Sequence, residues 1–107
     1  MSAETVAALQ ETVEKCRARA AEDPSRRTDL ATALTRLGVA YNDHGEYPDA
    51  VATAEEAVET WRLVADHRSE LADALTTLSS YYAGIGLDDE AAACAEEAAE
   101  VMRPGRG

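Results

Sequence analysis

Positive charge is scarce in this chain of 107 residues, where ten lysines and arginines stand against 21 aspartates and glutamates, a net of −11. That balance argues against nucleic-acid binding by phosphate neutralisation and against adsorption to an anionic membrane surface. Phenylalanine is absent and β-branched residues are sparse, while alanine supplies 23 positions, so helix propensity is high nearly everywhere. No run of about 18 apolar residues occurs, which excludes a membrane-spanning helix. The first residues lack a basic segment followed by an apolar one, the pattern of a secretory leader. Cysteine appears twice, as Cys16 and Cys94, far apart on expected helices. Both are expected to be reduced, alanine-sized core or flank residues of a cytoplasmic protein, not a disulfide pair.

Catalytic groups are equally thin. The only histidines, His44 and His67, fall in expected joints with no cysteine or paired carboxylate at metal-ligand spacing, so both read as solvated loop residues. Lys15 is the only lysine, and it sits on the leading helix, where it offers no Schiff-base site. There is no Gly-rich phosphate loop and no nucleophile elbow. The pairs Glu55-Glu56 and Glu96-Glu97 recur at one spacing and read as scaffold, not as a general acid and base. No enzyme, cofactor or metal is expected.

What the chain does have is a repeat. Shifted by 41 residues, Arg27–Arg62 aligns with Arg68–Arg103 at 17 identical positions of 36. Leu30-Ala31 falls on Leu71-Ala72, Leu34 on Leu75, Leu37 on Leu78, Tyr41 on Tyr82, and Gly45 on Gly86. A fixed period of this size marks a stacked-repeat architecture. Within one unit, Leu30, Leu34, Leu37 and Tyr41 lie on one face of a helix. Gly45 then suits a left-handed C-cap, and Pro48 suits the first turn of a following helix. A second stripe, Ala50, Ala54, Ala57, Val58 and Trp61, is small enough for the two helices to approach closely. Each unit is a helix–turn–helix hairpin.

The unit resembles a tetratricopeptide repeat, carried by Leu34, Leu37-Gly38, Tyr41, Gly45, Ala50 and Ala57. The second copy offers Leu75, Leu78, Ser79, Tyr82, Gly86, Ala91 and Ala98, departing at Ser79, where the family prefers glycine. The period exceeds the usual length of about 34 residues. It is similar to the long-helix repeats of kinesin light chains and of many bacterial regulatory proteins. The resemblance implies an all-α fold of antiparallel hairpins stacked as a right-handed α-solenoid.

In chain order the reading is one domain of about five helices. A leading helix over 6–22 carries Val6, Leu9, Val13, Cys16 and Ala20, and resembles the second helix of an incomplete repeat. Asp23 and Pro24 are expected to cap and open the next helix. Repeat one spans 27–65, with its second helix over about 47–65. Repeat two spans 68–103, with helices at about 68–85 and 88–102. Residues 104–107 form a tail.

The resemblance also implies a partner surface. First helices line the concave side of such arrays, which places Thr32, Thr35, Val39, Asn42 and Asp43 of unit one in a groove with Asp73, Thr76, Ser80 and Ala83 of unit two. Some family members clamp a peptide's carboxylate with lysine, arginine and asparagine; Val39 and Ser80 stand where asparagine would be wanted, so that clamp is not expected. Arg36 is assigned to a helix edge. Tyr41 and Tyr82 sit at a packing position, and Tyr47 is expected half-buried. Trp61 and its counterpart Met102 should cover a following hairpin. Tyr81 replaces an alanine and reads as an exposed contact. Twelve of the 21 acids lie in the second hairpin helices and their joints, which makes an acidic outer face.

The function this implies is a scaffold for a protein or peptide partner, part of a larger bacterial regulatory protein, with no nucleic acid and no membrane involved. The alternative is a structural repeat that forms a homodimer through its uncapped C-terminal helix, whose stripe would be Ala91, Ala95, Ala98, Val101 and Met102.

Overall fold

Thr5 opens the first element: its hydroxyl accepts the Ala8 N–H at 3.0 Å, satisfying an amide that the helix itself leaves unpaired. The computed structural model describes residues 5–104. They form α1 (Val6–Glu22), α2 (Arg27–Asp43), α3 (Tyr47–Arg62), α4 (Arg68–Gly84) and α5 (Asp88–Met102), with a 3₁₀ turn over Pro24–Arg26. No strand occurs among the described residues, and the architecture is an all-α stack of antiparallel hairpins.

Asp23 is a cap, as expected, but of the 3₁₀ turn. Its Oδ1 accepts the Ser25 N–H at 3.0 Å and the Ser25 hydroxyl at 2.8 Å, and that hydroxyl is the main reason the carboxyl is held below its usual range. Only then does α2 begin, at Arg27.

The two hairpin turns are copies in geometry, although between Tyr41/Tyr82 and Ala50/Ala91 they share only the glycine in sequence. Gly45 and Gly86 take φ of 76° and 82°, the left-handed region that side chains rarely enter. Past each glycine the chain bonds back in the same way: Glu46 N–H to Tyr41 C=O and Leu87 N–H to Tyr82 C=O, both at 2.9 Å. This bond, spanning six residues, closes the helix end and turns the chain into its partner helix. The α3–α4 joint is built differently. There α3 stops at Arg62, short of the expected 65, and a non-glycine, Asp66, takes φ of 63°.

Two apolar clusters hold the stack. In one, Leu9 and Val13 of α1 meet Leu30, Leu34 and Leu37 of α2 and Ala57 of α3. In the other, Val51, Ala54, Val58 and Trp61 of α3 meet Ala72, Leu75 and Leu78 of α4 and Ala98 of α5. Leu34 and Leu75, one repeat apart, are each 1% exposed and are the largest fully buried side chains.

Ion pairs tie alternate helices on the outer side. Arg17 of α1 reaches Glu56 of α3, and Arg62 of α3 holds Glu97 of α5 with Nη2 2.9 Å from Oε1. Tyr82 of α4 donates its hydroxyl to Glu55, which drives its phenol pKa far above the usual value. Glu55, Glu56 and Glu97 are thus engaged in stacking. Tyr41 and Tyr82 are half-buried, with Gln10 donating to the Tyr41 hydroxyl at 2.7 Å. Cys16 and Cys94 are free thiols on separate helices, and burial pushes the Cys94 thiol up.

Side-chain expectations change at Tyr47 and along α5. Tyr47, the first residue of α3, is exposed instead of half-buried. The apolar stripe foreseen on α5 divides: Ala91 and Ala98 are buried and Val101 half-buried, whereas Ala95 and Met102 are exposed.

Candidate functional site

α3 packs against both α2 and α4, while those two first helices touch each other only sparsely. The space left between them is a cleft of about 240 Å³. Its floor is apolar: Leu34 and Gly38 from α2, Ala54, Ala57 and Trp61 from α3, and Ala74 from α4. Thr32, Thr35 and Arg36 stand on the α2 side, and Glu70, Asp73, Thr77 and Tyr81 on the α4 side. The α4 residues follow one helical stripe, at i, i+3, i+7 and i+11, so a single flank of α4 makes that wall.

Gly38 sets the narrow end. A Cβ there would lie 3.7 Å from Cε2 of Tyr81 and 3.8 Å from the Ala50 carbonyl oxygen, so the tyrosine ring closes over a residue with no side chain. Tyr81 is half-buried and packs against the α3–α4 cluster, which corrects its reading as an exposed contact; its counterpart Ala40 is likewise a core residue, in the other cluster. Burial first, and then the negative charge of Asp43, raise its phenol pKa.

The hydroxyl of Thr35 is already used, donating to the Ala31 carbonyl of its own helix at 2.9 Å; Thr76 makes the same bond to Ala72. The other polar groups of the cleft are the hydroxyls of Thr32, Thr77 and Tyr81 and the charged Arg36, Glu70 and Asp73. Beside the floor, the Trp61 and His67 rings lie 5.4 Å apart and tilted by 32°. His67 Nδ1 is buried without a hydrogen bond, 3.5 Å from Oε1 of Glu70, which is an ion-pair approach if the imidazole is protonated. This corrects the reading of His67 as a solvated loop residue: the short α3–α4 joint folds it back onto Trp61. His44 is exposed, as a loop histidine should be, with Nδ1 2.8 Å from the Ala40 carbonyl oxygen.

Of the residues assigned to a groove from the sequence, Thr32, Thr35, Asp73 and Tyr81 line this cleft. Val39, Asn42, Asp43, Thr76, Ser80 and Ala83 do not line it. Repeat equivalence is only partly followed: Thr32 and Asp73 both line the cleft, as do Arg36 and Thr77, whereas Leu34 lines it without its counterpart Leu75. Thr76, the counterpart of Thr35, lies on the exposed flank of α4 that α2 does not meet. Arg36 lines the cleft instead of a mere helix edge, and Glu70, Thr77 and Trp61 were missed. Their signal was present: Glu70, Asp73, Thr77 and Tyr81 are spaced as one stripe beside the leucine face.

Among the described residues no group of three or more histidines, cysteines or carboxylates is placed to hold a metal ion. No helix among them is long and apolar enough to cross a membrane.

The family model for the tetratricopeptide repeat matches residues 29–103. No curated protein and no solved structure matches the chain.

Proposed function

The chain belongs to the tetratricopeptide repeat family, whose repeats generally mediate protein–protein interaction, and from that premise we propose that it is a scaffold module receiving a peptide segment of a partner protein in the α2–α4 cleft. The observation that carries this reading is an open, apolar-floored cleft between the two first helices. Its volume of about 240 Å³ lies below the range of roughly 300–1,000 Å³ typical of small-molecule sites and suits a side chain of a bound segment. Cytoplasmic residence and membership of a larger regulatory protein belong to this same reading.

Thr35→Tyr tests it. Thr35 is exposed and its hydroxyl bonds only its own helix, so a ring there fills the cleft without entering the core. A partner captured from cytosol and chemically cross-linked to α2 or α4 should be lost in this variant while its circular dichroism melt is unchanged. Equal capture by both forms would refute the reading.

One observation favours a second reading, self-association through α5. Val51, Ala54, Val58 and Trp61 of α3 are 8%, 6%, 3% and 7% exposed beneath the next hairpin. Their counterparts one repeat later, Ala92, Ala95, Ala99 and Met102, are all exposed. Sedimentation across a dilution series decides it, and a monomer throughout removes it.

A further inference from the structure

Building on the α2–α4 cleft as the partner site, we propose that the segment it receives is cationic: one apolar side chain seated on the floor beside Trp61, flanked by lysine or arginine that pairs with Glu70 and Asp73. The floor contributes the apolar half of this specificity. It presents Leu34, Gly38, Ala54, Ala57, Trp61 and Ala74, and the Thr35 hydroxyl beside it is turned to its own backbone.

Charge contributes the other half. Three acids of the outer face are engaged in stacking, Glu56 by Arg17, Glu97 by Arg62 and Glu55 by the Tyr82 hydroxyl. The acids of the α4 wall instead stand at the edge of an apolar cleft. Asp73 forms no ion pair among the described residues, and Glu70 lies beside His67, which is a cation only when protonated. These two carboxylates lie one helical turn apart on the same stripe, so they can meet cations on either side of one anchor. Arg36 on the opposite wall already has an interaction within the chain. At the Tyr81 end, the negative charge of Asp43 extends the same field. With a chain net of −11, approach of a cationic segment is favoured and that of an acidic one is opposed.

Trp61 is the only tryptophan and lies on the floor, so its fluorescence reports occupancy of the cleft. Three end-capped synthetic peptides are the probes: a leucine flanked by lysines, an alanine flanked by lysines, and a leucine flanked by glutamates. Only the first should shift Trp61 emission saturably, and its affinity should fall as salt is added. The double variant Glu70→Gln, Asp73→Asn should weaken it by about five- to tenfold, the scale of two exposed ion pairs. Equal binding of the glutamate-flanked peptide, or affinity unchanged in the double variant, overturns the charge preference. If the glutamate-flanked peptide binds and Thr35→Tyr abolishes that binding, the cleft stands and only the cationic reading falls. Lysine–leucine peptide binding that Thr35→Tyr leaves untouched overturns both.

Discussion

Ser79 donates its hydroxyl to the carbonyl oxygen of Ala91 at 2.7 Å, across the crossing of α4 and α5. One repeat earlier the equivalent pair is Gly38 and Ala50, where a Cβ would stand 3.8 Å from the carbonyl. The family's glycine position is thus met in two ways, by close approach in the first hairpin and by a hydrogen bond in the second. Ser79→Ala should cost about 1 kcal/mol, the usual net value of one such bond. Gly38→Ala should have the opposite sign. All three nearest atoms to its new Cβ lie at 3.7–3.9 Å, ordinary contact distance, and alanine gains about 0.5–1 kcal/mol of helix propensity. Urea unfolding of the two variants checks both signs.

The turns offer a second pair of opposed signs. A Cβ at Gly86 would meet nothing within 4 Å, yet the residue's φ is 82°, so Gly86→Ala adds only backbone strain. A loss of about 1 kcal/mol is expected. Asp66, at φ 63°, already bears such strain in the α3–α4 joint. Asp66→Gly should therefore raise the thermal midpoint where Gly86→Ala lowers it. The same sign for both would show that contacts, and not backbone conformation, govern these turns.

Leu75 is 1% exposed and Leu63 is 64% exposed. Leu75→Ala should lose about 2–5 kcal/mol, the range for a buried leucine whose cavity only partly closes. Leu63→Ala should stay within about 0.5 kcal/mol of the parent. Because each hairpin in a stack is stabilised mainly by its neighbours, the Leu75 variant is expected to melt as one unit, without a surviving α1–α2 fragment. Coincident circular dichroism and Trp61 fluorescence transitions would verify this.

The helices could be read from the sequence because two signals agree there: stripes such as Leu30, Leu34, Leu37 set the faces, and Gly45, Pro48 and Gly86 set the ends. The span of α5, 88–102, follows from that punctuation. Where punctuation fails, so does the reading. Asp66 makes a left-handed turn without a glycine, which hid the early end of α3 and the packing of His67 on Trp61. The cleft was half legible for a different reason. Repeat register locates equivalent positions, whereas a cleft depends on which flank of each helix a neighbour leaves open. Tyr81 shows the gap most clearly, since its ring is placed by Gly38 on another helix and not by its own neighbours in sequence.

Arg62 holds the Glu97 carboxyl below the usual glutamate range, chiefly by its hydrogen bond, against the opposing effect of burial. A carboxyl depressed in the folded state adds stability above its unfolded pKa, and that stability is lost as pH falls through the lower folded value. Arg62 and Glu97 are 41% and 35% exposed, so solvent screening limits the pair to about 0.5–1 kcal/mol. At neutral pH, Glu97→Gln should therefore be less stable than the parent by that amount. The gap should close as the pH is taken below the ordinary glutamate range, because both proteins then carry a neutral side chain at position 97. High salt should narrow it as well. Glu59, 76% exposed and 4.0 Å from Arg62 Nε, is the control, and Glu59→Gln should shift stability little at any pH. Denaturant midpoints of the three proteins across an acid titration make the measurement. A gap for Glu97→Gln that persists at low pH would mean that its contribution is packing against α3 and not charge.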